Sequence, residues 1–453
     1  MTIARPSLSG PRPHRLFDMA ARGTRLPTEI LAGCTTFFTM AYIVLVNPSI
    51  LGLAGLPVPS VAMATCLSAG LACILMGLIA DVPLALAPGM GLNAYFSFTV
   101  VQQMHVPWQV GLGCVFLSGL AFLVLTAAGI RQMIVAAIPH YLLAAVAAGI
   151  GLFIAFVGMK NAGLIVASPA TIVALGNLRE GGALLAVIGL VLITVLSLLR
   201  VRAAILIGII ATTLIGWLTG LATAPATAPS PAGLGATFLA LDIPGALHIG
   251  SKGAGIVGLG LVEIVFVFLF VDLFDNIGTL VAVTKRAGLM EADGTIPALN
   301  RMLYADALAT LAGALLGTST VTSYVESTAG VESGGRTGIA AIVTGLLFLL
   351  ALPLARYAQL VPLSATAPAL ILVGALMMAP LTEIAWEKAE EAVPAFLTLA
   401  MIPLTFSIAN GLAFGITAHA LVKIIKREVA ARDWLLFVLA LLFVIRFAYI
   451  SAA

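Results

Sequence analysis

Charge is what this sequence has least of. Only 9% of its 453 residues are Asp, Glu, Lys or Arg, against roughly 25% in an average soluble domain. That scarcity excludes an ordinary water-soluble domain. With 61% hydrophobic residues and a mean hydropathy of +1.15, the chain reads as an integral membrane protein. Its net charge of +3 is too small to point to nucleic acid. Cysteine is sparse too: Cys34, Cys66, Cys73 and Cys114 lie in or beside apolar runs without metal-type spacing, and read as small buried hydrophobes. His14, His105, His140, His248 and His419 are scattered, which argues against zinc, and none can be placed beside a serine nucleophile. No metal or cofactor is expected. No signal peptide is expected either, because the first apolar run, from about Ile30, is too long for a leader and shows no clear cleavage site.

What the chain does have is apolar length. A membrane span takes about 20 such residues, roughly 17–25. Spans are expected near 29–51, 61–80, 87–102, 107–128, 138–159, 182–199, 202–220, 254–284, 303–316, 320–332, 337–355, 362–382, 393–408 and 410–425, fourteen in all. A further apolar helix at 434–451 follows the basic segment Lys423, Lys426, Arg427, Arg432 and either lies in the interface or spans. Basic residues set orientation. Arg5, Arg12, Arg15, Arg22 and Arg25 precede the first span, so the N-terminus is expected in the cytoplasm of a cell whose inner or plasma membrane holds the protein. Arg131, Arg200, Arg202, Lys285, Arg286, Arg301 and Arg336 then fall on that side, and the Ala/Pro/Thr-rich loop 222–233 falls outside.

The two halves echo each other. "IPHYLLAAVAAGIG" (138–151) resembles "VPLSATAPALILVG" (361–374), with proline and glycine twelve apart in both, and "AAILIGI" (203–209) resembles "NGLAFGI" (410–416). These matches set span 5 against span 12 and span 7 against span 14. Two units of seven follow, and because seven is odd the second is inverted. The same register pairs span 3 with span 10, the two segments least like ordinary spans. Span 3, "LAPGMGLNAYFSFTVV", is broken by Pro88, Gly89 and Gly91 and continues as helix or strand from Asn93. Span 10 opens with "GTSTVTSYV" (317–325), whose alternation suits an extended segment, and "ESTAGVESGG" suits a short helix. Broken backbone at membrane depth survives only beside protein or a water-filled cavity, and paired breaks in inverted halves point to a substrate site.

Span 8 carries intramembrane acids. Asp272, Asp275, Asn276 and Thr279 are spaced to share one helical face, and a carboxylate there costs at least about 2.5–3.5 kcal/mol on insertion scales, so it is functional by default. Glu263 should face elsewhere. In span 10, Glu326 follows the break and should border the cavity, while Glu332 is spaced to pair with Arg336.

The motifs "AGCTTFFTMAYIVLVNP" (32–48), "APGMGLNAYFSF" (87–98), "FVDLFDNIGTL" (270–280) and "GTSTVTSYVESTAGVESGGRTG" (317–338) resemble the AzgA-like hypoxanthine/guanine and adenine permeases, the purine branch of the nucleobase–ascorbate transporter superfamily. The resemblance runs from about Ile30 to Tyr449. It implies proton-coupled purine uptake and an all-α fold of 14 transmembrane segments in two inverted seven-span repeats, with short antiparallel strands in spans 3 and 10. It also implies a division into a core (29–128 with spans 1–4, 254–355 with spans 8–11) and a gate (129–253 with spans 5–7, 356–453 with spans 12–14 and the last helix), after a cytoplasmic tail at 1–28. The family's span 8 and span 10 acids fall on Asp275 and Glu326. Where uracil-transporting relatives have a histidine four residues after the span 8 acid, this chain has Thr279. The turn "SIANG" carries Asn410 in place of an acid often found there.

A purine base is flat and neutral and presents donors beside acceptors. An ionised carboxylate only accepts hydrogen bonds and a protonated one also donates, so Asp275 and Glu326 together suit a purine edge and a coupled proton. The expected substrate site is Asp275, Glu326, Asn93, Thr279, Tyr324, Ser327, Phe38 and Gly91, with Glu326, Asp275 and Asp272 as proton carriers. Phe37, Tyr95 and Phe96 are further stacking candidates. The expected partners are a purine, a proton, the lipid bilayer and a homodimer mate. Two other readings stay open: an anion carrier of the sulfate-transporter type, which two acids would oppose, and a sodium-coupled nucleobase symporter. An intramembrane aspartyl protease lacks its Gly-x-Gly-Asp setting, and no enzyme is expected.

Overall fold

Proline and glycine decide where the apolar runs become helix. The computed structural model describes residues 17–129, 139–223, 233–248, 259–291, 295–430 and 433–450. The expectations for Arg5, Arg12, Arg15, Arg131, Arg432 and most of the 222–233 loop lie outside the described residues.

Fourteen segments follow in order, here numbered as spans. Span 1 is Leu26–Met40 continued, after a joint at Ala41 and Tyr42, by Ile43–Gly52. Span 2 is Val58–Ala80, started by Pro57 and Pro59 and stopped by Asp81 in the left-handed region at φ 53°. Spans 4 to 7 are Trp108–Ala127, His140–Asn161, Gly181–Leu198 and Ala204–Thr219. Spans 8 and 9 are Leu259–Ala287 and Leu299–Leu316. Span 11 is Gly338–Leu350, bent by 60° into the 3-10 turn Leu352–Leu360. Spans 12 to 14 are Leu363–Leu376, Ala389–Leu404 and Ile408–Lys426. Eight of the described helices, or nine counting the bent pair once, are long and apolar enough to cross a membrane unaided. The other crossings are shorter, more polar or broken, and they depend on their neighbours.

Spans 3 and 10 are the broken ones. Span 3 runs as strand β1 (Leu86–Pro88), a short helix Met90–Ala94 and a π-helix Tyr95–Gln103, so its second part is helical. Past the exposed hairpin of β2 (Ile165–Ser168) and β3 (Ile172–Leu175) that follows span 5, span 10 supplies strand β4 (Val321–Ser323) and the helix Ser327–Glu332. β1 and β4 pair antiparallel, with Leu86 opposite Ser323, Ala87 opposite Thr322 and Pro88 opposite Val321. The flanks complete the pairing: Gly89 N donates to Thr320 O, Tyr324 N to Ala85 O and Ala85 N to Ser327 Oγ, each at 3.0 Å. Backbone that no helix satisfies is thus satisfied by the other half of the protein.

The packing repeats with inversion. Span 2 packs on span 11 as span 9 packs on span 4, and span 13 packs on span 5 as span 6 packs on span 12. The matched glycines Gly151 and Gly374 meet each other: a Cβ on Gly374 would run into Gly151 O, and one on Gly151 would lie 2.7 Å from Gly374 O. Two inverted copies crossing at equivalent points would place them so.

Basic residues gather at one face. Arg22 pairs with Asp81 at 2.9 Å and donates to Arg336 O at 2.9 Å. Asp81 Oδ1 accepts from Gly338 N at 2.8 Å, and the buried Glu29 accepts from Arg336 N at 2.8 Å. The expected Glu332–Arg336 pair does not form. Glu332 pairs instead with Arg286 of span 8, and the Arg336 guanidinium donates to Val331 O and Gly335 O at 2.7 Å. The helix ends at Glu332, so the one-turn spacing that would bring the two side chains together is lost. The last helix, Trp434–Ile450, buries Leu436, Leu439, Ala440 and Phe443. It touches span 8 through Phe443 and Phe266 and span 14 through Phe447 and Phe414.

Candidate functional site

The strand pair places the acids. β4 ends at Ser323, so Tyr324 and Glu326 fall in the turn that opens the helix Ser327–Glu332. The Tyr324 hydroxyl donates to Pro88 O of β1 at 2.6 Å, which fixes the turn against span 3. The Glu326 carboxylate receives the hydroxyl of Tyr42 on Oε1 at 2.6 Å. Tyr42 sits at the joint of span 1 and is fully buried, so the carboxylate is oriented by a donor that has little freedom of its own.

Span 8 is pinned beside this turn. Ser323 Oγ donates to Asn276 Oδ1, and Asn276 is fully buried. The polar face expected of span 8 divides into two stripes. Asp272 and Asn276, one turn apart, are buried against the protein, while Asp275 and Thr279, also one turn apart, are half-buried. Asp275 is near enough to Glu326 for their charges to act on each other, and Tyr324 lies within range of both. In a setting poor in water such interactions are stronger than in solution.

Glu326 opens on a cavity of about 640 Å³. It is lined by Thr39 of span 1, Arg286 of span 8, and Ala329 and Glu332 of span 10. Ser197 and Arg200 to Arg202 around the turn between spans 6 and 7 line it too, with Leu372 and Leu376 of span 12. Spans 1, 6, 7, 8, 10 and 12 thus all contribute to its lining. Among the described residues, no cluster of three or more His, Cys, Asp or Glu is arranged to hold a metal ion.

A family model described as "Permease family" matches residues 27–414. This chain belongs to that family. It is 48% identical over 438 residues to a permease of Methanocaldococcus jannaschii, covering 96% of this chain and 98% of that one. It is 42% identical to the adenine permease AdeP of Escherichia coli (97% and 96% covered) and 44% identical to the guanine/hypoxanthine permease PbuG of Bacillus subtilis (96% and 99%). Such relatives place it in the purine branch of the nucleobase–ascorbate transporters, as a transporter rather than an enzyme. Its fold is that of the transmembrane domain of the cyanobacterial bicarbonate transporter BicA (TM-score 0.62, 16% identity, 85% of this chain and 97% of that one) and of murine SLC26A9 (0.61, 13%, 91% and 70%).

Of the expected contacts, Glu326 lines the cavity, Asp275 and Tyr324 lie within electrostatic range of its carboxylate, and Thr279 is one turn along span 8 from Asp275. The other expected contacts have structural duties. Asn93 is fully buried: its amide donates to Asn47 Oδ1 at 2.6 Å, and its carbonyl accepts from Ser319. Asn47 in turn donates to Thr65 and Thr318 at 2.7 and 3.0 Å, tying spans 1, 2, 3 and 10 together. Ser327 Oγ accepts from Ala85 N. Gly91 lies so close to span 5 that a Cβ would meet Ile150 at 2.6 Å. Phe38 is 49% exposed and meets Phe37 edge-on. Tyr95 and Phe96 are fully buried in packing. Sequence reasoning missed Tyr42 and Asn47. Both lie in the motif "AGCTTFFTMAYIVLVNP", and an asparagine within a span, next to Pro48, was the available signal for the second.

Proposed function

We propose that this permease imports purine nucleobases with a proton, by alternating access. The observation that carries the proposal is Glu326: a carboxylate at a break in a membrane span, oriented by Tyr42, within electrostatic range of Asp275, and open to a cavity. Spans 1–4 and 8–11 act as the core and spans 5–7 and 12–14 as the gate. The two groups move against each other around the site. Asp275 and Glu326 read the purine edge, with Thr279 and Tyr324 close by, and one of the acids carries the proton. Asp272, buried behind them, is the third candidate carrier. The further members of the expected site, Asn93, Ser327, Gly91 and Phe38, support the site from behind through the packing and hydrogen bonds described above. Hypoxanthine, guanine and adenine are the candidate substrates, in keeping with the names of the relatives.

The basic face, with Arg22, Arg200, Arg202, Arg286 and Arg336, is assigned to the cytoplasm by the positive-inside rule, with the N-terminus on that side and the protein in the inner or plasma membrane. The cavity then opens inward. Two carboxylates at the site oppose an anion as substrate.

The test is uptake of radiolabelled adenine, hypoxanthine, guanine and uracil into cells lacking purine transport, with and without a protonophore, for wild type and Glu326→Gln. Saturable purine uptake that collapses with protonophore and falls at least about tenfold in the variant is expected. Uptake that follows a sodium gradient and ignores the protonophore would replace the coupling ion, and no uptake of any base would overturn the reading.

A further inference from the structure

The cavity that reaches Glu326 carries positive charge that a neutral base does not call for. Arg200, Arg202 and Arg286 all line it. Arg286 is balanced by Glu332. Arg200 and Arg202 are not balanced: among the described residues neither guanidinium meets a carboxylate. Among the described residues Arg202 donates to a neutral hydroxyl, Thr35 Oγ1 of span 1, at 3.1 Å. The positive-inside rule accounts for the sign of this face and not for the placement. Lys285, Arg301 and Arg336 belong to the same face and stay off the cavity wall, and the Arg336 guanidinium is taken up by backbone carbonyls.

Guanidinium groups stay charged at any physiological pH and match phosphate oxygens with paired donors. A single cavity therefore holds a carboxylate suited to a purine and two guanidinium groups without a carboxylate partner among the described residues, suited to a phosphate. Its volume of about 640 Å³ exceeds what one flat base needs and falls within the roughly 300–1,000 Å³ of sites that enclose larger ligands. Thr39 and Ser197 on the wall add hydroxyls of the kind a ribose can meet. We propose that the cavity binds a purine nucleoside monophosphate from the arginine side, with its base at Glu326 and its phosphate on Arg200 and Arg202, and that this ligand blocks uptake.

The inference rests on the purine reading above and extends it. The base must enter with its sugar-bearing nitrogen toward the cavity mouth. The reaction that consumes the imported base by joining it to a phosphorylated ribose then makes the ligand that halts further import. A full pool of nucleotide holds the carrier with its cavity open to the cytoplasm, and a depleted pool releases it.

The test is equilibrium binding of tritiated hypoxanthine and of tritiated adenine to the purified full-length protein. Competitors are the matching nucleoside monophosphate, the matching nucleoside and inorganic phosphate. The expected result is displacement by the nucleotide, displacement at least about tenfold weaker by the nucleoside, and none by phosphate. In the double variant Arg200→Gln with Arg202→Gln, the nucleotide should weaken by at least about tenfold while base affinity holds, which also shows that the variant folds. Lysine at both positions should restore part of the effect. Base binding that is indifferent to nucleotide, equal displacement by nucleoside and nucleotide, or an unchanged double variant overturns the inference and leaves the purine reading standing. Displacement by phosphate alone overturns it in favour of a plain anion site. Failure of wild type to bind either base removes the purine reading, and this inference with it.

Discussion

The two halves of this permease cross at two kinds of place. At spans 3 and 10 the helices are broken, and the crossing is made of strand pairing, hydroxyls and two buried asparagines. At spans 5 and 12 the helices are intact, and the crossing is made by Gly151 against Gly374, whose nearest neighbours are backbone atoms and the side chains of Met377 and Ala155. One inverted repeat generates both. The difference lies in where the backbone hydrogen bonds go. Intact helices satisfy their own groups and need only close approach, so the contact carries no chemistry. Broken segments must be satisfied by the other half of the chain, and the turn after the strand leaves Glu326 facing a cavity. The first crossing carries the proposed site, and the second is a seam.

The comparison breaks most sharply at the acids. Glu326→Gln and Asp275→Asn should each lower purine uptake by about ten- to a hundredfold, the loss of one or more hydrogen bonds to a charged group. Both variants should still reach the membrane. In Glu326→Gln the side-chain amide oxygen can still accept from Tyr42, so the local fold has no reason to fail. If either variant transports normally, the polar crossing is structural and the site lies elsewhere. At the seam the opposite pattern is expected. Gly374→Val drives a branched side chain into the Gly151 backbone and should cost about 1–3 kcal/mol of stability, read as a lower melting temperature in detergent. Base affinity in the folded fraction should be unchanged. A variant as stable as wild type would mean that spans 5 and 12 do not meet at these glycines.

Much of this contrast was legible in the sequence. The breaks at Pro88 and Gly89, the alternating Ser/Thr of span 10 and the matched proline and glycine of spans 5 and 12 are local signals, and each keeps its meaning in the fold. Asp275 and Glu326 were visible because carboxylates within apolar runs are rare. What could not be read is pairing between distant segments. Asn93 is spaced as a substrate ligand, and the sequence gives no sign that Asn47 and Ser319 bond its amide in the fold. Glu332 and Arg336 are well spaced for a helix that stops between them, and Arg286 takes the glutamate from another span. Tyr42 is one apolar-looking residue among many until the fold brings span 10 to it across 284 residues.

That last contact gives a finer division within the polar crossing. Tyr42→Phe removes one hydroxyl and no volume to speak of. It should weaken base binding by about three- to tenfold, near the usual worth of one hydrogen bond of roughly 0.5–1.5 kcal/mol, and should raise KM more than it lowers maximal uptake. A uniform fall in protein level at unchanged KM would make Tyr42 a packing residue and nothing more.

The smallest effect should come from Ser323→Ala. Its hydroxyl ties β4 to Asn276 of span 8, one residue from Asp275, and so connects the strand pair to the helix that carries the second acid. Hydrogen bonds between membrane segments average about 0.6 kcal/mol, so the melting temperature should move little. Position should matter more than stability here. With span 8 no longer fixed to the strand, Asp275 is freer to drift from Glu326, and selection among adenine, hypoxanthine and guanine should narrow by about two- to threefold, an effect of that same size. The matched control is Thr310→Val, which removes a hydroxyl that donates to Val321 O on the same strand at 2.9 Å but from span 9, away from the acids. Equal changes in selectivity in the two variants would show that the strand acts as one rigid unit, and that the polar crossing shares the passive character of the glycine seam.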